Sequence, residues 1–227
     1  MSFAPPANTR RRTRTLGTLL TLIVVLQFGY PISGLGPAWT AVYMAAYAAM
    51  LGFGIVTVRD ESGRLIPMVA ATVVFLVCGT WFSFAQHSVH ATVAMLTSVA
   101  LSMAVLIYAL LRFVFRRERA PGVNLVLASV SAYLVMGGFF GATFALLEIA
   151  SPGSFMDPQG DGGPLGWHQT LYYSYVTLAT LGYGDVLPVT TWARSLGSFV
   201  AVIGTLYLTV VVARLVGIWS SKATDTN

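Results

Sequence analysis

Thr180-Leu181-Gly182-Tyr183-Gly184-Asp185 is a six-residue stretch in which two glycines flank a tyrosine behind a threonine. A residue without Cβ adopts dihedrals that strain any other residue, so Gly182 and Gly184 let the main chain itself present polar atoms to a ligand. Carbonyl oxygens arranged in rings can replace the water shell of a cation the size of potassium. One chain supplies one strand of such a lining.

Composition places this stretch in a membrane. Of the 227 residues, 56% are hydrophobic and 9% charged, with a mean hydropathy of +0.74. A water-soluble globule would have too little polar surface to cover itself. Charge is nearly absent from six blocks, Leu16 to Ile32, Ala38 to Val58, Leu65 to Phe84, Ala91 to Leu111, Val123 to Ala150 and Ser195 to Ile218, with only Glu148 and Arg214 near the ends of the last two. Each is near the roughly 20 apolar residues that cross a bilayer. The first is the weakest, with Gln27 and Pro31, and a basic run before a short apolar core also reads as a signal peptide. It is read as an uncleaved span, because no small-residue cleavage site follows promptly and the other spans pair without removing it.

Arginine placement sets the orientation. With the N-terminus inside, Arg10, Arg11, Arg12, Arg14, Arg59, Arg64, Arg112, Arg116, Arg117, Arg119, Arg214 and Lys222 are all cytoplasmic, and of the 13 basic residues only Arg194 lies outside. Glu148, Asp157, Asp161 and Asp185 fall outside, whereas Asp60, Glu61, Glu118 and Asp225 fall inside. The net charge of +5 is therefore topological and excludes nucleic-acid binding as its cause. Trp39, Trp81, Trp167, Trp192 and Trp219 sit at span ends, where amphipathic rings favour the headgroup layer.

With this context, TLGYGD resembles the pore signature of potassium channels, TVGYG followed by aspartate. It follows a short helical-looking run, LYYSYVTLAT (Leu171 to Thr180), between the last two apolar blocks. The resemblance implies an all-α membrane protein with six transmembrane helices, a re-entrant pore helix and a selectivity-filter loop, assembled with three identical subunits in the plasma membrane, or the bacterial inner membrane in a prokaryote. It implies potassium ions in the filter as the only bound species, and no enzyme activity. The expected organisation is a basic cytoplasmic N-terminus (1–14), a four-helix bundle (15–115), a Pro/Gly-marked linker RRERAPG (116–122), a pore domain (123–220) and a short cytoplasmic tail (221–227). The motif-bearing resemblance covers a little under half the chain, and the pore motif is not repeated.

Carried over residue by residue, the resemblance puts Thr180 at the innermost ion site through its carbonyl and hydroxyl, with the carbonyls of Leu181, Gly182, Tyr183 and Gly184 above it. Leu181 replaces the commoner valine and is expected to change packing behind the filter. Thr177 is expected to brace the loop from the pore helix. Tyr172 and Tyr173 match the aromatic cuff that holds Tyr183 outward, and Asp185 matches an acidic residue that accepts a hydrogen bond from the aromatic represented by Tyr173. Val176 stands where some bacterial relatives carry a carboxylate. On the last span, Gly204 is the hinge candidate, with Gly197 as competitor and close helix packing as the alternative role for Gly204. Thr205, Leu208 and Val212 recur at helical spacing, and Val212 with Val216 forms a candidate apolar gate.

Several residues carry less. Cys78 is single and reads as a small apolar filler. His87, His90 and His168 lack ligand spacing, and no nucleophile, carboxylate pair or phosphate loop supports catalysis. SPGSFMDPQGDGGPLGW reads as a mobile acidic turret. Two other readings are a weakly selective cation channel and a membrane scaffold or transporter subunit whose TLGYGD is only a re-entrant turn.

The six-span layout is similar to that of voltage-gated potassium channels, but span four, ATVAMLTSVALSMAVLIYALL, has no charge before Arg112. Each charge moved through the field is worth about 2.3 kcal/mol per 100 mV, and several are required for steep opening. Bilayer recordings over a voltage series are expected to show a shallow conductance–voltage relation; a steep one carrying several gating charges contradicts this reading of span four.

Overall fold

The computed structural model describes residues 7–29, 31, 37–59, 66–85, 88–116, 122–158, 160 and 163–224. These form seven α-helices, α1 (Ala7–Phe28), α2 (Pro37–Arg59), α3 (Ile66–Phe84), α4 (Val89–Arg116), α5 (Gly122–Ala150), α6 (Trp167–Leu178) and α7 (Thr191–Thr224). Two short strands, β1 (Phe155–Met156) and β2 (Leu187–Pro188), complete the chain. The loop with Asp60, Glu61 and Arg64, most of the 116–122 linker with Arg117, Glu118 and Arg119, and His87, Asp161 and Asp225 lie outside the described residues.

Among the described residues, four helices are long and apolar enough to cross a membrane: α3, α4, α5 and the Thr191–Ser220 part of α7. The expected blocks from residue 65 onward thus form helices that overrun their apolar cores by a few residues. The first block differs. In α1 the helix begins before the arginines and stops at Phe28, so its apolar part falls short of the roughly 20 residues a crossing takes. Helix α2, Pro37–Arg59, takes in the whole of the second expected block.

The chain divides into two compact units. In the unit comprising Met1–Thr72, Val105–Leu134 and Val210–Asn227, Leu16, Leu19, Ile23 and Leu26 recur every three or four residues along α1 and are buried. The Tyr43 hydroxyl donates to the Leu26 carbonyl at 2.9 Å, joining α2 to α1. Thr13 donates to Asn124 Oδ1 at 2.7 Å, and the Arg12 guanidinium lies over the Phe113 ring, 4.5 Å from its centroid. That stacking shelters a charge beside apolar side chains.

The unit comprising Val73–Ala104 and Val135–Thr209 is organised around α6. This helix is seated on glycines from both sides. A Cβ on Gly141 of α5 would lie 3.0 Å from the Leu171 backbone, and Gly137 leaves room for the Tyr175 ring. Ser174 adds a hydroxyl bond to the Gly137 carbonyl at 2.5 Å. On α7, a Cβ on Gly197 would sit 2.8 Å from the Tyr173 hydroxyl, and one on Gly204 only 2.0 Å from the Leu178 carbonyl oxygen. Removing side chains is what permits helices to approach so closely in an apolar medium. The glycines of α5 thus receive the short helix α6.

Candidate functional site

Residues 179–185 leave the C-terminal end of α6. Helix α6 starts four residues before the expected run and ends at Leu178, so Thr180 lies beyond it. The Thr180 N–H donates to the Thr177 carbonyl at 3.0 Å and the Leu181 N–H to the Val176 carbonyl at 2.8 Å. This pair of bonds is a Schellman closure with Thr180 in the position that glycine usually takes. Thr180 accordingly has φ 57°. A β-branched residue in the left-handed region is strained, and its retention requires something that glycine cannot supply. The Thr177 carbonyl closes this turn; Val176 is buried and contributes its own carbonyl.

Gly182 and Gly184 have φ 62° and 77°. A Cβ on either would meet nothing within 4 Å, so the backbone conformation alone demands glycine here. Positive φ therefore falls on every second residue from Thr180 to Gly184. The side chains between them are uncovered within the single chain, Leu181 being 56% and Tyr183 67% exposed.

Tyr172 and Tyr173 of α6 divide their work differently from the expectation. Tyr172, not Tyr173, donates to Asp185 Oδ2, at 2.5 Å, while the Val186 amide donates to Oδ1 at 2.9 Å. Tyr173 instead packs edge-on against Phe144 (4.9 Å) and lies 5.2 Å from Phe155, with its hydroxyl against Gly197. Helical geometry explains the exchange, because adjacent residues lie about 100° apart and only one of the pair can face the loop. Neither ring forms a cuff around the exposed Tyr183 within one chain.

Asp185 is held below the usual carboxyl range by the Tyr172 hydroxyl, opposed by partial desolvation and aided by the Val186 amide.

Two contributors escaped sequence reading. Glu148, at the end of α5, is 2% exposed, and its carboxylate accepts from the Gly153 N–H at 3.0 Å and the Phe155 N–H at 3.1 Å. A buried carboxylate needs such donors; a lone acid closing an apolar helix just before Pro152-Gly153 was the available signal. The bonds anchor β1, which pairs antiparallel with β2, Phe155 opposite Pro188 and Met156 opposite Leu187. The Ser154 carbonyl accepts from Val189 N at 2.8 Å, and Gln169 donates to Asp157 at 3.2 Å. The expected mobile turret is therefore tied at its start to the segment following Asp185.

Arg214 is the second. Its Nε donates to the Val114 carbonyl and its Nη2 to the Phe115 carbonyl, each at 2.8 Å, clamping α7 to the last turn of α4. Terminal helix carbonyls lack intrahelical partners and attract cations. Sequence reading gave this arginine only a topological role. Val212 and Val216 flank it and are 57% and 56% exposed; Thr205 and Leu208 also lie on exposed parts of α7. Gly204 is buried within continuous helix, and the atoms nearest to a Cβ built there belong to Leu178.

Residues 129–220 match a family model described as Ion channel, a match that spans less than half of the chain. No curated protein and no solved structure matches the chain. The family match together with the four apolar helices supports a membrane protein and a passive ion channel.

Because the Asp185 carboxyl is held below its ordinary value of 3.8, the brace it forms contributes above that pH and is lost as pH falls through its lowered value. Thermal melting over a pH series is expected to show an acid-side loss below 3.8 that Asp185→Asn and Tyr172→Phe both diminish. An unaltered acid limb in both variants contradicts the brace.

Proposed function

We propose that this chain is one subunit of a homotetrameric potassium channel, conducting K+ passively through a filter made by Thr180, Leu181, Gly182, Tyr183 and Gly184. The observation that carries the reading is the alternation of φ sign along these residues. In an extended strand successive carbonyls point to opposite sides; inverting every second residue turns the intervening peptides so that their oxygens share one side. A file of like-directed carbonyls is what a dehydrated cation requires. Potassium sits at the Thr180, Leu181, Gly182 and Tyr183 levels, and the strained threonine is retained for its hydroxyl, which adds an oxygen to the innermost site. The C-terminus of α6 contributes the partial negative charge of its carbonyls on the cavity side.

Exposure supports the assembly. In the most apolar stretch of α5, 67% is buried, against 17% in α7. The buried stripe of α7, Ala193, Gly197, Val200, Gly204 and Val211, occupies one face. The remaining faces suit lipid and neighbouring copies around a fourfold axis. We read α2 and the full length of α1, with its arginines at the cytoplasmic headgroup level, as the other two of six spans, with both termini cytoplasmic, in the plasma membrane or a bacterial inner membrane. The uncharged α4 makes the first four helices a bundle with little or no voltage sensing, coupled to the inner end of α7 through Arg214. Val212 and Val216 form the gate ring, and Gly204 allows α7 to bend or to pack.

Purified protein in liposomes is expected to pass K+ in preference to Na+, read as reversal potentials under swapped gradients, with block by barium. Thr180→Gly relieves a left-handed conformation that costs roughly 1–2 kcal/mol, so melting should be unchanged or raised while selectivity falls. Equal permeability of the wild type to both ions favours a weakly selective cation channel; no flux favours a scaffold; a Thr180→Gly protein with intact selectivity contradicts the role of the hydroxyl.

A further inference from the structure

The four arginines near the start of α1 are not equivalent. Arg12 is turned to the buried face that continues through Leu16, Leu19 and Ile23, and stacks on Phe113. Arg10, Arg11 and Arg14 fall on a different arc, spanning with Thr15 and Thr18 about 140° of the helix. These five residues and Phe53 of α2 line a cavity of about 470 Å³. Among the described residues no carboxylate lines it, and Arg10, Arg11 and Arg14 form no ion pair. Arg10 and Arg14 are one turn apart, as are Arg11 and Arg14, so the cations repel one another unless an anion lies between them.

The lining has the chemistry of a phosphate site. Guanidinium groups donate in a planar fork that matches phosphate oxygens. Thr18 adds an exposed hydroxyl with no partner among the described residues, whereas Thr15 spends its proton on the Arg11 carbonyl at 3.1 Å. Phe53, 37% exposed, supplies an apolar wall. The volume lies within the range of small-ligand pockets, about 300–1,000 Å³. Leu16 begins the apolar part of α1 two residues beyond Arg14. The cavity therefore stands where a polar headgroup meets its acyl chains, and basic pockets between helices at that level bind anionic lipid.

We infer that Arg10, Arg11 and Arg14, with Thr18, hold the phosphate of an anionic phospholipid of the cytoplasmic leaflet, its glycerol end against Phe53. This rests on the proposed membrane placement of α1. The lipid fills the gap between like charges, and its occupancy fixes α1 against α2.

Native mass spectrometry of the full-length protein, released from detergent with phosphatidylglycerol or phosphatidylcholine, reads this without ion flux. The wild type and an Arg116→Gln control should retain phosphatidylglycerol in preference to phosphatidylcholine. The Arg10→Gln/Arg11→Gln/Arg14→Gln variant should lose that retention by about tenfold or more, with Arg14→Gln alone and Thr18→Val losing part of it; the two single variants decide the matter if the triple variant misfolds. Equal retention by wild type, triple and single variants overturns the site. Displacement of the lipid by inorganic phosphate or glycerophosphate at comparable concentration overturns the lipid as occupant in favour of a soluble phosphate. Potassium flux in liposomes is scored separately, so arginine-dependent lipid retention without flux leaves this site standing while the channel reading fails, and flux with equal retention does the reverse.

Discussion

The close approach of α7 to the end of α6 governs the conformation of the whole 179–185 loop. Gly204 lets the Leu178 carbonyl come so near that no side chain fits between them. That contact fixes where α6 stops, and the Schellman closure then forces Thr180 into the left-handed region. From that residue onward the backbone alternates through Gly182 and Gly184. Helix packing, helix capping and the conformation of the loop are thus one continuous constraint. Polar anchors secure its far end, with Tyr172 on Asp185 and, through Glu148 and Ser154, the β1–β2 pairing.

The inner end of α7 obeys a different chemistry. Arg214 bonds to main-chain carbonyls of α4, and in this way a cation is satisfied without an acidic partner among the described residues. Trp219 comes up against Gly122, where a Cβ would lie 2.7 Å from its indole nitrogen. In a chain with so few carboxylates, arginines bind carbonyls, rings and, at the cavity of α1, the inferred lipid phosphate. The same sign of charge serves topology and local structure together.

Much of this was legible from residue types. Gly182 and Gly184 announce positive φ because nothing else adopts it cheaply, and the long apolar runs after residue 65 announce helices of spanning length. Thr180 was not legible as a left-handed residue, since its β-branch argues against that conformation and only the tertiary contact at Gly204 imposes it. The choice between Tyr172 and Tyr173 depended on the rotation of α6, which the glycines of two other helices set. Glu148 looked like one more outer charge because its donors are backbone amides, which no side-chain pattern reveals. The start of α1 was blurred by the arginines that precede its apolar run.

Rubidium-substituted crystals or particles of the assembled protein offer the most direct view of the central claim. Fourfold symmetry with heavy-ion density stacked on the axis at the Thr180 to Tyr183 carbonyls is the predicted result. An assembly without a fourfold axis, or one in which residues 180–184 pack away from any central passage, contradicts it.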